Sequence, residues 1–172
     1  MAKTELYNYS VQEKLNKMDV DLITINPTIE TSTIDAHDVL FNPTEITNAV
    51  SVNDGVSILQ SICVIDTTNT AVDAGVQIDL VFTQDEGDLG ALDGPVGTSG
   101  GADSVLDGIL GIVSITSYAD MITGQVATKN NIGLVLKGAS SSKSIYVAGV
   151  IREAGTARDA DAIFLRLGIV KD

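Results

Sequence analysis

Apolar residues fall at alternate positions through much of this chain. In "VQIDLVFT" Val76, Ile78, Leu80 and Phe82 lie on one side, with Gln77, Asp79, Val81 and Thr83 on the other. That two-residue period is the mark of a strand with one face in a core. "VSILQSICVID", residues 56–66, is nearly all apolar and reads as a central strand buried on both faces. "GILGIVSIT", "NIGLVLKG", "KSIYVAGVI" and "AIFLRLGIVKD" add four more strands, joined by turn chemistry such as "KNN" and "GASSSK". "TEITNAVSV" runs into the turn Asn53–Gly55, whose residues tolerate positive φ. Roughly seven to nine short strands, with no helix long enough for repeated βαβ units, predict an all-β fold. The expected architecture is a β-sandwich or jelly-roll-like domain, and no tandem repeat is visible.

The beginning of the chain reads differently. "TELYNYSVQEKLNKMD" fits a short helix capped by Thr4 with Leu6, Tyr9 and Leu15 on one side, or an extended segment. Further on, "DVDLITINPTIETSTIDAHDVLF" has the two-residue period of a half-buried strand, at Val20 and Leu22 and then, after a slip, at Ile23 and Ile25; Pro27 marks an edge or a break. The division expected is an N-terminal arm over residues 1–34, contacting neighbours, and a β-sandwich domain over residues 35–172. Between Ala102 and Leu110 one or two helical turns are expected, starting at Asp103 or Ser104.

Composition sharpens this picture. With aromatics at 4% and no Trp, the core has to be built from Val, Ile, Leu and Ala. No run of apolar residues is long enough for a membrane span, and the opening residues lack the apolar core of a secretory signal. The single cysteine, Cys63, lies inside an apolar run and reads as a small buried hydrophobe. Net charge is −13 and unevenly laid out: from Met18 to Thr128 there are seventeen acids and no Lys or Arg. That excludes a nucleic-acid footprint and leaves the more basic ends as the better docking elements.

Catalytic chemistry is sought mainly in residues 84–107, "QDEGDLGALDGPVGTSGGADSVLD", with six carboxylates and six glycines. The EF-hand spacing fails from either Asp85 or Asp88, because Gly and Leu occupy ligand places. An irregular calcium site built from Asp85, Asp88 and Asp93 is the alternative to a solvated acidic loop. No aromatic platform accompanies these acids, so a sugar-cleaving pair is unsupported. His37 is the only histidine, which excludes a multi-His zinc or iron site, and no GxSxG elbow accompanies it. "GTSGG", residues 97–101, lacks the Lys of a phosphate-binding loop. The residues point to no enzyme and no cofactor, calcium being the one alternative.

Three stretches carry a resemblance. They are "IDAHDVLFNPTEITNAVSVNDGVSILQSICVIDTT", "DGILGIVSITSYADMITGQVATKNNIGLVLKGASSSKSIYVAGV" and the closing "AIFLRLGIVKD". In pattern and order they resemble small structural proteins of tailed bacteriophages, over roughly residues 35–172; His37 departs from the glycine usual before the Asp. The resemblance implies a virion component, most directly a capsid decoration (cement, or auxiliary head) protein on the capsid exterior, assembled in the host cytoplasm. Its partners would be the major capsid protein or other virion proteins, with homo-oligomers at capsid axes, and neither nucleic acid nor membrane. A tail or neck component and a calcium-dependent, adhesin-like host-binding module are the alternatives. The resemblance implies no active-site residues.

Overall fold

A computed structural model describes residues 19–68, 77–97, 107–121, 123–154 and 157–171. Nine strands follow in order: β1 (Asp19–Ile25), β2 (Val39–Ile46), β3 (Val56–Asp66), β4 (Ile78–Thr83), β5 (Ile109–Ile115), β6 (Ala119–Asp120), β7 (Gln125–Lys137), β8 (Ile145–Ile151) and β9 (Ile163–Lys171). One sheet has the order β1-β9-β3-β7-β6, the other β2-β8-β4-β5, and every pairing is antiparallel. Leaving aside the two-residue β6, the first long strand pairs with the last, the second with the next to last, and so on inward: β1 with β9, β2 with β8, β3 with β7, β4 with β5. Successive pairs fall in alternate sheets. This is a long hairpin rolled over itself, the jelly-roll arrangement, and it matches the all-β sandwich expected from periodicity.

The core between the sheets is aliphatic, as the composition requires. Leu59, Ile62 and Val64 of β3 meet Leu80 and Phe82 of β4, Ile145, Val147 and Ile151 of β8, and Leu165, Leu167 and Ile169 of β9. Phe41 of β2 lies across Gly149 of β8, its register partner, which leaves the ring room that any side chain would fill. Among the described residues no helix is long and apolar enough to cross a membrane.

Three expectations need correction. The sequence pattern puts the arm at residues 1–34, but β1 pairs along its whole length with β9, and Ile29 and Ile34 are buried in the core. Residues 19–34 therefore belong to the sandwich, because β9 would otherwise expose a row of backbone donors and acceptors. Residues 1–18 lie outside the described residues. The helical turns expected over 102–110 fall largely outside them as well, and Leu110 is in β5.

The second and third corrections exchange the roles of two strands. β3, expected to be buried on both faces, alternates: a bulge at Gln60 shifts the register, so Ser57 and Leu59 point inward before it and Ile62 and Val64 after it. The bulge consumes the slip that made the sequence look uniformly apolar. β4, expected to be half-exposed, is buried at all six positions, because the loop that follows it folds back across its outer face.

At one end of the sandwich, Arg158 reaches from the β8–β9 connection to Asp66 at the end of β3, Nε to Oδ2 at 3.1 Å. Asp66 Oδ1 also accepts the Thr68 amide at 2.9 Å. Tyr118 packs nearby with a buried hydroxyl that has no partner among the described residues. Burial pushes this hydroxyl well above the ordinary tyrosine range; Arg158 opposes the rise and Asp66 adds to it. Below the ordinary tyrosine pKa both folded and unfolded chains keep the proton, and the contribution to stability is complete. As pH rises above about 10, the unfolded chain ionises first and stability falls by up to about 1.4 kcal/mol per pH unit. Tyr118→Phe is expected to remove that part of the alkaline slope and to change stability little at neutral pH. Urea unfolding of both proteins across the alkaline range measures it, and an unchanged slope in the variant would sink the assignment.

Candidate functional site

The outer face of the first sheet is the site, and its geometry follows from register. With Asp21, Ile23 and Ile25 of β1 turned inward, Val20, Leu22 and Thr24 must turn outward. Their pairings continue across the sheet. Val20 sits beside Val170, Val170 beside Ile58, and Ile58 beside Val135, giving one apolar row over four strands. The next row is Leu22, Gly168, Ser61 and Asn130; then come Thr24, Arg166, Cys63 and Thr128, and finally Phe164, Ile65 and Val126. Val20 and Leu22 are 68% and 70% exposed, Val135 54% and Ile58 40%. Large aliphatics at such exposure, contiguous over four strands, mark an interaction surface.

Charge distinguishes this face further. None of its positions on β1, β9, β3 or β7 is Asp or Glu, in a protein of net charge −13. The acids of these strands whose side chains are described point inward: Asp21 pairs with Lys171 and Asp66 with Arg158. Arg166 stands exposed near the middle of the face and has no ion pair among the described residues. Lys137 lies at its margin and pairs with Asp54 at 3.1 Å. Cys63, expected to be buried, is half-exposed here beside Arg166, because the bulge at Gln60 turns it outward.

The acidic loop occupies the opposite side of the molecule. Asp85, Asp88 and Asp93 are held in separate local arrangements. The backbone carbonyl of Asp85 accepts the Thr83 hydroxyl, Asp88 Oδ1 accepts the Gly90 amide, and Asp93 Oδ2 accepts the Ser32 hydroxyl at 3.1 Å. Among the described residues no group of three or more His, Cys, Asp or Glu side chains converges as metal ligands. The loop is not merely a solvated connection either. Leu89 and Leu92 close on Val39, Val81, Ala148 and Val150 of the second sheet as a small separate core, and the amide of Val39 donates to the Gly94 carbonyl.

Beside that small core is a cavity of about 320 Å³ lined by Val81, Leu89, Val96, Ile109, Ile112 and Val150, among others. At its polar end Asp79, almost wholly buried, accepts Arg152 Nε at 2.6 Å. His37, with φ of 75°, is exposed at the rim, and its amide donates to the Ile151 carbonyl. Its position is that of a turn residue.

The face on β1, β9, β3 and β7 was not singled out by sequence reasoning. The signal lies in β3, where Val56, Ile58 and Ile65 are apolar at outward positions, a pattern that in sequence is the same as that of a doubly buried strand.

No family model matches this sequence, and no curated protein matches it. Among solved structures, the chain is similar to one in a semi-empty virus-like particle of the nodavirus of the giant freshwater prawn Macrobrachium rosenbergii. The two are 10% identical with a TM-score of 0.39, over 89% of this chain and 92% of that one. It is also similar to a chain of Desmodium yellow mottle tymovirus, 14% identical with a TM-score of 0.29, over 90% of this chain and 87% of that one. Overlaps this low lend no weight to any particular role. The class defined by the strand pairing and the exposed face is a jelly-roll protein whose first sheet turns an apolar, carboxylate-free face outward.

Proposed function

We propose that the protein is a non-enzymatic structural component of a virion, of the capsid decoration kind, which binds the exterior of the shell and stabilises it. The observation that carries this reading is the apolar outer face of the first sheet, free of carboxylates on an otherwise acidic molecule. A protein held on a shell needs one face that sheds water on docking and a remainder that repels further association. Burial of Val20, Leu22, Ile58, Val135 and Val170 supplies the first, at about 25 cal/mol per Å² of apolar area covered. The acids elsewhere supply the second. Arg166 supplies direction, since it requires a carboxylate on the shell to avoid being buried unpaired. We take the shell to be built of the major capsid protein, which is what the resemblance to tailed-phage structural proteins implies.

The test is co-sedimentation of purified protein with undecorated capsids over a range of salt. Binding is expected, with Ile58→Lys and Val135→Lys each weakening it by about tenfold or more. Both side chains are already partly in water, so the variants should fold. Failure of the wild-type protein to pellet with capsids at any salt concentration would remove the reading.

A further inference from the structure

We infer that two copies of this chain pair through the edge of β1, which is open among the described residues, antiparallel about a two-fold axis at Leu22, so that the first sheets of both join into one. The inference concerns an edge, not the shell-binding face, and stands whether or not a shell is the partner.

Edges are where sheets are vulnerable, and proteins usually guard them with bulges, prolines or charges. Among the described residues the other edges of this sandwich are guarded. β2 contains Pro43 and two register irregularities. β7 carries positive φ at Asn131 and Gly133 and is partly covered by β6. The Lys129 ammonium donates to the Ser114 carbonyl of β5. β1 has no such device: seven consecutive residues pair with β9 without a bulge, and Pro27 comes only after the strand has ended. Of the acids of β1 whose side chains are described, Asp21 would be a guard if free, but Lys171 neutralises it.

The sequence of β1, "DVDLITI", is self-complementary in one register. With Leu22 opposite Leu22 of the second copy, Val20 meets Thr24, Asp21 meets Ile23, and no acid meets an acid. All seven residues find partners. A shift that sets Asp21 opposite its own copy places like charges together, which is destabilising; a shift the other way loses pairs. The two-fold keeps outward residues outward, so Val20 and Leu22, the most exposed aliphatics of the face, gain neighbours across the seam. Stacking the two outer faces instead would set Arg166 against Arg166 with no carboxylate on either face, and burying such charges unpaired costs several kcal/mol. Charge therefore favours the edge over the face as the contact between copies.

Sedimentation equilibrium of the full chain tests this. A reversible monomer–dimer equilibrium is expected at micromolar concentrations. Amide exchange should slow along β1 as concentration rises. Leu22→Lys, at a site that is mostly in water, should leave the circular dichroism spectrum unchanged and raise the dimer dissociation constant about tenfold or more, since two ammonium groups would meet on the axis. A monomer at all concentrations overturns the inference, as does association that leaves β1 amides unprotected. So does a dimer that survives Leu22→Lys but is lost in Val135→Lys.

Discussion

Gly149→Val is expected to prevent stable folding, and Gly149→Ala to lower stability steeply. Gly149 lies in β8, between β2 and β4 in the second sheet. A Cβ built there would lie 2.2 Å from Phe41 Cε1 and 2.6 Å from Cδ1, far inside contact distance. The penalty is steric. Phe41 is completely buried in the aliphatic core, so its ring has nowhere to go without displacing other core side chains. Overpacking of this kind costs about 1–3 kcal/mol and at times more; valine adds two further methyl groups at the same point. Against a total stability of about 5–15 kcal/mol, that is enough to unfold a large fraction of the protein. Urea denaturation and thermal melting of the alanine variant measure the effect. Phe41→Leu combined with Gly149→Ala should recover part of the loss, because the two sites couple. If Gly149→Ala melts with the wild type, the packing described for this pair is wrong.

The second large effect concerns Arg158 and Asp66. The Arg158 side chain is 7% exposed and that of Asp66 16%, so removing one partner strands a mostly buried charge. Arg158→Met is expected to cost about 3–5 kcal/mol, the range for breaking a buried pair. Arg158→Met with Asp66→Leu should regain most of it, since a buried pair replaced by apolar groups of similar volume is often neutral. The native pair is itself imperfect, because Arg158 Nη1 has no partner among the described residues. Its contribution therefore lies in tying the β8–β9 connection to the end of β3, next to the bond from the Thr67 amide to the Ala162 carbonyl. Chemical denaturation of the two single variants and the double variant closes the cycle. A single variant within about 1 kcal/mol of wild type would show that the pair is solvated.

How much of this was legible beforehand depends on the range of the interaction that decides each feature. Periodicity located β3, β4, β8 and β9 closely, because alternation is a property of neighbouring residues. It also marks β1 as a half-buried strand, but it assigns that strand to the arm and reads a slip from Leu22 to Ile23 that the continuous pairing does not contain. β9 in fact pairs with every residue of the strand, and both Ile23 and Ile25 turn inward to pack against the core. Asp85, Asp88 and Asp93 looked like a possible site because their spacing is local, and the structure separates them because their partners are Thr83, Gly90 and Ser32. Nothing in the loop's own composition announces that Leu89 and Leu92 anchor it to the second sheet.

The amino-acid sequence alone determined that this is an all-β protein with an aliphatic core, an acidic middle free of Lys and Arg, and more basic ends. Each of these is a sum over residues or a pattern between near neighbours. Only the tertiary structure decided which apolar positions stay in water. Alternation says that two faces differ, not what packs against either. In the jelly roll the strands that pair are those remotest in the chain, β1 with β9 above all. That pairing assembles Val20, Val170, Ile58 and Val135 into one row, turns the described acids of its strands inward, and leaves β1 at the edge of its sheet among the described residues.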